Sequence, residues 1–528
     1  MNAIFAADVI VGEGLLGCPR GKLLGMAKVQ VAEKLANEDT LGRVDGVVES
    51  KGHDRFRFTS ALGSVMWRQV KSGDGWRVEV VDETGVNLLD LHHTDRFLDL
   101  ASEKAAYAAG PIEQTAHGRP YAYESLGQLF EDPKVPNQYL VPAASFPLHG
   151  NIGNHGSLAS VQSRGLFIAA GPGVANKGWV PEHARMIDVA PTLLALLGVP
   201  ATRGRRANRE FRSARLLAQD GVDITTALDP SASASAQHVV AVVFDGCNTN
   251  LVADAMAAGE LPILASLVGR GTGLRHGIIS SFPTVTLPNH LTAFTGVHPG
   301  RHGIVNNEFL DFNDEHINLL DFKTMIRTRE WVSGDVETIH EAVHRWRPVA
   351  FTSASYEYAD RGANWSTFGE FRAGRRPPYA SAERAAETST DWAYQQSERY
   401  RFISRIDESS LVSAIQQWDG ERKTGHELPT MQLVNFSVTD DAGHEVGPHG
   451  ALARAALIDC DRRLGRLLDA IDAARVLEDT AVVVLSDHGM EQCDPALLET
   501  HRTPDLSAIC DEIRYREVGD VFLHPLLR

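Results

Sequence analysis

Acidic and histidine side chains follow three strand-like segments of this sequence. Asp245 comes directly after HVVAVVF, Asp440 and His444 follow QLVNFSV, and Asp487 and His488 follow AVVVLS. Ligands of open α/β sheets bind beyond the carboxyl ends of the strands, so we expect these clusters at one edge. Oxygen and nitrogen donors without cysteine are typical of catalytic zinc, and Mn²⁺ or Fe also fit them. One cluster alone is equally typical of a helix cap or a turn, but three together predict a metal site.

A threonine is placed to act beside such a metal. Thr286 stands in FPTVTLPNH, directly ahead of a predicted helix. A hydroxyl group at a helix N-terminus suits an anionic phosphate, and a neighbouring metal allows the hydroxyl to ionise and attack. Without the metal clusters, Thr286 would be interpreted as an ordinary N-cap residue.

Short apolar runs that alternate with helical patterns predict the elements that carry these residues. The predicted strands are Leu166–Ala170, His238–Phe244, Pro348–Ser353, Gln432–Ser437 and Ala481–Leu485. Ala451–Ala473 has helical spacing of its apolar residues, and Asp188–Pro200 reads as a short apolar helix. Strands buried on both faces and joined by helices predict an α/β fold with a largely parallel central sheet. The alternating pattern of Arg55–Val81 predicts a hairpin.

Composition limits the class of protein and its partners. The chain has 528 residues and a net charge of −17, which argues against nucleic acid as a bulk partner. Apolar runs stay short of the roughly 18 residues of a membrane span. The first residues lack a basic region, and the five cysteines form no CxxC pair. We therefore expect a cytoplasmic protein without a membrane partner, whose oligomeric state, a homo-oligomer included, stays open.

The motifs together resemble the alkaline phosphatase superfamily, and within it the nucleotide pyrophosphatase/phosphodiesterase branch. The matching segments are VVFDG, FPTVTLPNH, TGVHPGRHGIVNNEF, DDAGHEVGP and SDHGM, in family order. The resemblance implies a three-layer alkaline-phosphatase-like sandwich with Thr286 as the nucleophile and Asn307 on a phosphoryl oxygen. It also implies two zinc ions, one held by Asp245, Thr286, Asp487 and His488, and the other by Asp440 and His444.

The family's last zinc-binding histidine lies in a GxHG motif that normally follows SDHGM. Here the chain after Met490 has no such motif, and GNHG occurs instead around His155, far ahead of the other motifs. The segments after it, RGLFIAAGPGV and ARMIDVAPTLLALLGVP, also resemble the family's C-terminal end.

The simplest interpretation of this reversed order is a circular permutation. Residues 1–200 would be equivalent to the family's C-terminal part, and residues 238–528 to its N-terminal and middle part. Residues 201–237, which contain SASASA, would be a surface linker. The alternative is a separate, degenerate domain at 1–200 with an accidental GNHG.

These patterns predict a two-zinc phosphodiesterase or nucleotide pyrophosphatase that acts on a small phosphorylated substrate through a phosphothreonine. Leu287 stands where diesterases of the family often have an aromatic residue that stacks on a base. A phosphomonoesterase or a phosphonoacetate hydrolase-like enzyme therefore stays open, as does a non-catalytic sensor of phosphoryl ligands. His92, His93, His298 and His302 are interpreted as surface or packing residues, and His149 and His449 as neighbours of the site.

Overall fold

The computed structural model describes most of the chain beyond its first 43 residues. The described residues are 44–525, except 53, 73–74, 111, 136–137, 145–150, 202–204, 207–208, 211–213, 229–234, 312, 314, 421–424, 494–514 and 519–521. His149 lies outside the described residues.

An eight-stranded sheet forms the centre of the fold. Its strands are β1 (Phe167–Ala170), β2 (Gly178–Val180), β3 (His238–Phe244), β4 (Gly271–Leu274), β5 (Thr352–Ser355), β6 (Trp365–Ser366), β7 (Met431–Phe436) and β8 (Thr480–Leu485). Their order is β6-β5-β7-β3-β8-β1-β4-β2. Neighbouring strands are parallel, except that β1 is antiparallel to both β8 and β4.

The position of β1 shows that both halves of the chain build this sheet. Leu485 of β8 pairs with Phe167 of β1, and Gly271 of β4 pairs with Ala170 on its other side. A strand from the first 200 residues therefore lies between two strands from the second segment. The prediction of a largely parallel sheet built from both halves is confirmed.

Alternate residues of β3 enter two separate hydrophobic cores, one on each face of the sheet. Val239, Ala241 and Val243 belong to one core, whereas Val240 and Val242 belong to the other. This two-sided burial explains the unbroken apolar run of the strand. The result is the predicted three-layer α/β sandwich.

Helices cover both faces of the sheet. One face is covered by Val189–Leu196, Thr286–Thr295 and Ile339–Trp346, and the other by Thr249–Ala257, Pro262–Gly269, Glu398–Gln416, Val438–Val446 and Ala451–Ala473. Shorter helices are Leu100–Ala108, Ala122–Gly127, Ser160–Ser163, Thr225–Leu228, Pro299–His302, Phe322–Met325, Thr367–Arg372, Ala382–Thr388 and Asp391–Gln396.

Element boundaries show where the sequence patterns were accurate. The strand His238–Phe244 and the helix Ala451–Ala473 have the predicted bounds. The strand predicted at Pro348–Ser353 lies later, at Thr352–Ser355, and Val349 is 74% exposed. Proline has no N–H group for a sheet ladder, so the strand starts only after this exposed turn.

The region Arg55–Val81, predicted as a hairpin, forms consecutive antiparallel strands of a second, larger sheet. Its five strands, in spatial order, are Gly75–Gly85, Gly63–Ser72, Arg55–Thr59, Val44–Ser50 and Gln138–Pro142. Tyr139 of this sheet packs edge-on against Phe282, with ring centroids 5.9 Å apart. The sheet is thereby packed against the segment that leads to Thr286.

Part of the segment predicted as a surface linker is buried. Leu216 and Leu228 are at most 1% exposed, and the backbone N–H of Ala236 donates to Leu196 O at 2.8 Å. A short hairpin pairs Arg205–Arg206 with Arg209–Glu210. The surface-linker prediction is wrong for these buried residues because their apolar side chains fill the core beside Val189–Leu196.

The length and composition of the described helices bear on whether any of them could cross a lipid bilayer. No single one of them is both long and apolar enough to cross it. Thr249–Ala257 and Pro262–Gly269 reach that length and composition as a pair, but they are bent by 93°.

Candidate active site

Three predicted ligand histidines share one hydrogen-bonding arrangement. In each, Nδ1 lies 2.9 Å from a backbone carbonyl oxygen: Thr284 O for His155, Gly153 O for His444 and Gly489 O for His488. A carbonyl oxygen only accepts, so these contacts favour a proton on Nδ1 of each ring; Asn151 Nδ2 also lies 3.1 Å from His444 Nδ1. Each Nε2 then keeps its lone pair, which is the usual state of a metal-binding histidine.

The Nε2 atoms of His155 and His444 face each other at 3.0 Å. Asp440 lies beside them, with one oxygen 3.4 Å from His155 Nε2 and the other 3.4 Å from His444 Nε2. Burial and the two neighbouring histidines hold the pKa of His155 well below its usual value, so the ring is neutral. Two lone pairs at this distance repel each other unless a cation lies between them. These donors therefore fit one of the predicted zinc ions.

The second predicted ligand set surrounds His488. Its Nε2 lies 3.2 Å from Asp487 Oδ2, 3.7 Å from Asp245 Oδ1 and 3.3 Å from Thr286 Oγ1. The His155 and His488 rings stack with centroids 3.7 Å apart, so the two sets adjoin. The structure thus brings together every metal ligand predicted from the sequence.

Unpaired carboxylate atoms indicate that this cluster requires positive charge. Asp245 Oδ1, Asp440 Oδ1 and Asp487 Oδ2 are buried and have no hydrogen-bond partner. Burial and the adjacent Asp487 raise the pKa of Asp245, and burial raises that of Asp487 to about 6. Uncompensated buried carboxylates are costly, so bound divalent cations would stabilise the cluster.

Strand ends and one helix position the acidic ligands. Asp245 and Asp487 follow the neighbouring strands β3 and β8, and Asp487 Oδ1 accepts from Gly246 N at 3.0 Å. Asp440 and His444 lie one turn apart on the helix Val438–Val446. Helical spacing places both side chains on one face, so the alternative of a simple turn at this segment does not apply.

Thr286 is the first residue of the helix Thr286–Thr295. The N-cap residue is Val285, so the N-cap interpretation of Thr286 is wrong. Asn307 Oδ1 accepts from the Leu287 N–H at 3.0 Å, which holds this amide beside the turn that carries Thr286. The Leu287 side chain is completely buried. A side chain at this position therefore packs in the core and does not meet a ligand.

The GNHG motif is bonded to two segments of the other half of the chain. Gly153–Asn154 pairs with Glu491–Gln492, directly after SDHGM. Thr284 joins the motif to the Thr286 segment, because its Oγ1 accepts from Gly156 N at 2.9 Å and donates to Ser157 O at 2.8 Å. These bonds carry His155 into the same cluster as His444 and His488.

Two buried residues of this cluster were missed from the sequence. His290 Nδ1 lies 2.8 Å from Glu357 Oε2, and His290 Nε2 lies 3.6 Å from Asp487 Oδ2. Burial alone would lower the pKa of His290, but Glu357, Asp245 and Asp487 raise it well above the usual value. Glu357 carries the same signal as Asp245, an acid after a strand, but the strand β5 was predicted to end at Ser353.

His92, His93, His298, His302 and His449 lie outside the ligand sets. His298 and His302 are buried and bond Glu124 and Thr292, whereas His92 and His93 are exposed. His449 Nε2 lies 2.9 Å from Glu103 Oε1, on the helix Leu100–Ala108. The interpretation of His92, His93, His298 and His302 as packing or surface residues agrees with these positions, whereas His449, interpreted as a neighbour of the site, bonds Glu103.

Comparison with known proteins identifies the family to which this chain belongs. Residues 239–518, more than half of the chain, match the family model described as type I phosphodiesterase / nucleotide pyrophosphatase. The chain belongs to this family. The family prediction, and with it the branch of the alkaline phosphatase superfamily, is confirmed. The region that matches the family model begins well after the GNHG motif.

Two curated relatives carry pyrophosphatase/phosphodiesterase names. An uncharacterized pyrophosphatase/phosphodiesterase of Schizosaccharomyces pombe is 25% identical over 264 residues, which cover 48% of this chain and 44% of the relative. Human ectonucleotide pyrophosphatase/phosphodiesterase family member 5 is 25% identical over 284 residues, which cover 53% and 49%. The chain thus spans about half the length of the curated relatives it matches.

Solved structures of similar proteins align over a similar share of this chain. Murine ectonucleotide pyrophosphatase/phosphodiesterase 5 in complex with AMP is 20% identical, with a TM-score of 0.33, over 49% of this chain and 59% of its own. Phosphonoacetate hydrolase from Sinorhizobium meliloti in complex with phosphonoacetate is 20% identical, with a TM-score of 0.31, over 48% and 57%.

Proposed function

We propose that this protein is a two-zinc phosphodiesterase or nucleotide pyrophosphatase that acts through a phosphothreonine at Thr286. The observation that carries the proposal is the 3.3 Å contact between Thr286 Oγ1 and His488 Nε2, beside two buried sets of Asp and His ligands. A hydroxyl group among metal ligands, at a helix N-terminus, is the arrangement that phosphoryl transfer requires.

The two ligand sets give the metals separate places. His155, Asp440 and His444 would hold one zinc ion, and Asp245, Asp487, His488 and Thr286 the other. Zinc bound there would polarise the phosphoryl oxygens and lower the pKa of the threonine hydroxyl. Mn²⁺ and Fe are compatible with the same nitrogen and oxygen donors.

The side chains then divide the reaction into two steps. Thr286 Oγ1 loses its proton and attacks phosphorus; the Oγ1–P bond forms, the bond to the ester or anhydride oxygen breaks, and the leaving group departs with a proton. Water next attacks the phosphothreonine and the Oγ1–P bond breaks, so that the phosphoryl group leaves with its remaining substituent, as a monoester where the substrate is a diester. One proton of the water returns to Oγ1. The side-chain Nδ2 group of Asn307, whose Oδ1 accepts from the Leu287 N–H, would stabilise the charge on the phosphoryl oxygens.

Replacing Thr286 tests this mechanism and separates an enzyme from a sensor. Thr286→Ala is expected to lose nearly all turnover on a nitrophenyl diester, while Thr286→Ser, which keeps a hydroxyl, retains part of it. Zinc content should stay near two per chain in both variants, because the other ligands remain. Unchanged turnover in Thr286→Ala would exclude Thr286 as the nucleophile.

The position of Leu287 leaves a substrate class other than diesters and nucleotides open. Because Leu287 is buried, this position offers no surface on which a nucleotide base could stack. A phosphomonoesterase or a phosphonoacetate hydrolase-like enzyme therefore remains the second candidate. Initial rates on a nitrophenyl monoester, a nitrophenyl diester, a dinucleotide and phosphonoacetate, each with zinc, rank these substrates. A preference for the diester or dinucleotide supports the main proposal.

We also propose that residues 1–200 and 238–528 form one circularly permuted catalytic domain. In support, β1 lies inside the central sheet, and His155 Nε2 lies 3.0 Å from His444 Nε2. His155→Ala should therefore cost one zinc and most activity. His183→Ala is the matched control, because His183 belongs to the same segment but bonds Tyr121. A His155→Ala protein with two zinc ions and full activity would instead make residues 1–200 a separate domain.

A further inference from the structure

The His290 ring is held on two sides within the candidate site. It lies on the helix that begins at Thr286 and is completely buried. Its Nδ1 is 2.8 Å from Glu357 Oε2, and the ring of Tyr358 meets it edge-on at 4.9 Å. Glu357 is itself fixed, because its Oε1 accepts from the Ala359 N–H at 3.1 Å. The direction of the second ring nitrogen, Nε2, is thereby set.

His290 Nε2 points between the two carboxylates of one ligand set. It lies 3.6 Å from Asp487 Oδ2 and 3.8 Å from Asp245 Oδ2. The other Asp245 oxygen, Oδ1, faces His488 Nε2 at 3.7 Å. The two oxygens of Asp245 are thus divided between one histidine behind the site and one inside it. Asp487 is restrained similarly, since its Oδ1 is already bonded to Gly246 N.

We propose that His290 and Glu357 are a positioning pair that fixes the orientation of Asp245 and Asp487 and so strengthens metal binding at this ligand set. The inference rests on the proposed metal-dependent function, and it assigns to this pair a role apart from ligation or attack. The His290 Nε2 atom lies within ion-pair distance of both carboxylates, although too far away for a hydrogen bond, and a buried ring nitrogen in that place limits their rotation. Loss of such a partner typically weakens metal affinity by about 10- to 100-fold.

Substitutions at His290 distinguish positioning from simple packing. In His290→Asn the amide reaches only the position of Nδ1, so the bond to Glu357 can form but Asp245 and Asp487 lose their partner. In His290→Gln the longer amide reaches the position of Nε2. Glu357→Gln keeps the shape of the anchor but removes its charge. The matched control is His302→Gln, since His302 is another completely buried histidine, bonded to Thr292 of the same helix.

Zinc affinity of each full-length protein is measured by competition with a chromophoric chelator, together with thermal unfolding of the zinc-free proteins. We expect His290→Asn and Glu357→Gln to lose about 10- to 100-fold in affinity at one of the two zinc sites. His290→Gln should recover part of this loss, and His302→Gln should bind zinc like the wild type at both sites.

Three outcomes would overturn the inference. Wild-type affinity at both sites in His290→Asn and Glu357→Gln excludes the positioning role, as does an equal loss in His302→Gln. Failure of His290→Gln to bind more tightly than His290→Asn also excludes it. A wild-type protein that binds no zinc would overturn the proposed function itself, which separates the two failures.

Discussion

His155 and His444 are 289 positions apart in the chain, yet their Nε2 atoms lie 3.0 Å from each other. Each ring is fixed by a backbone carbonyl from a different segment, Thr284 O for His155 and Gly153 O for His444. Gly153 lies in the segment that carries His155, so this segment also orients His444. A metal ion bound at this point would therefore join the segment around His155 to the rest of the fold, and four predictions follow from this geometry and its surroundings.

Removal of metal should abolish activity and destabilise the fold. Chelation leaves one buried oxygen each of Asp245, Asp440 and Asp487 without a partner. We expect turnover to fall at least about 100-fold and the melting temperature to fall, because a ligand that binds only the folded state stabilises it. Metal analysis, a rate assay and thermal unfolding before and after re-addition of Zn²⁺ provide the measurement. Full activity in metal-stripped protein would contradict the prediction.

Gly246→Ala should disturb the Asp440 ligand. Gly246 has a φ of +59°, and a Cβ atom there would overlap the Asp440 side chain. Gly259 also has a positive φ, +76°, but a Cβ atom there would meet nothing within 4 Å. Gly259→Ala therefore matches the backbone strain without the contact. We expect weaker zinc binding and lower turnover in Gly246→Ala alone. Equal effects in both variants would show that strain, not Asp440, is responsible.

Thr284→Val should loosen the connection between the two halves. The variant keeps the shape of the side chain but loses the hydroxyl that bonds Gly156 N and Ser157 O. Two buried backbone groups then lack a partner, and we expect a loss of about 2 kcal/mol in the free energy of unfolding. Thr295→Val is the control, because Thr295 bonds a carbonyl of its own helix. Chemical denaturation measures both, and an effect no larger than that of the control contradicts the prediction.

Asp407→Asn should change the pH dependence of stability. Burial raises the pKa of Asp407 to about 7, against about 4 in an unfolded chain. The folded protein therefore keeps this proton where the unfolded chain has lost it. The contribution of Asp407 to the free energy of unfolding thus decreases as the pH rises from about 4 to about 7 and is constant above that.

Denaturation of the wild type and of Asp407→Asn across this pH range, at one fixed zinc concentration, checks the sign. The variant should show the flatter decrease in stability between about pH 4 and about pH 7, since it has no proton to lose there. Parallel curves would contradict the raised pKa. Asp407 also accepts from Ser437 N at 2.8 Å and Val438 N at 3.1 Å. If Asp407→Asn is less stable than the wild type by the same amount at every pH, the loss comes from these two hydrogen bonds and not from the raised pKa.

Local patterns predicted the elements best where burial is continuous. The strand His238–Phe244 lies inside the sheet and the helix Ala451–Ala473 has one long apolar face, and both have the predicted bounds. The patterns failed where burial comes from distant partners. Leu216 and Leu228 lie in a stretch of polar and small residues, yet they are buried against the core. The residues adjacent to Leu216 and Leu228 in the sequence do not reveal which distant part of the core will bury them.

The sequence by itself determined the chemistry of the site, since Asp245, Asp440, His444, Asp487 and His488 follow strand-like runs and the ligand atoms are properties of residue types. It also determined the family, because the motifs keep their order from Asp245 to His488. Only the tertiary structure decided that β1 enters the sheet between β8 and β4. Only the folded chain brings the Nε2 atoms of His155 and His444 together. It also places His290 Nε2 3.6 Å from Asp487. The physical reason is that strand pairing and side-chain orientation depend on contacts between residues hundreds of positions apart, which local spacing does not encode.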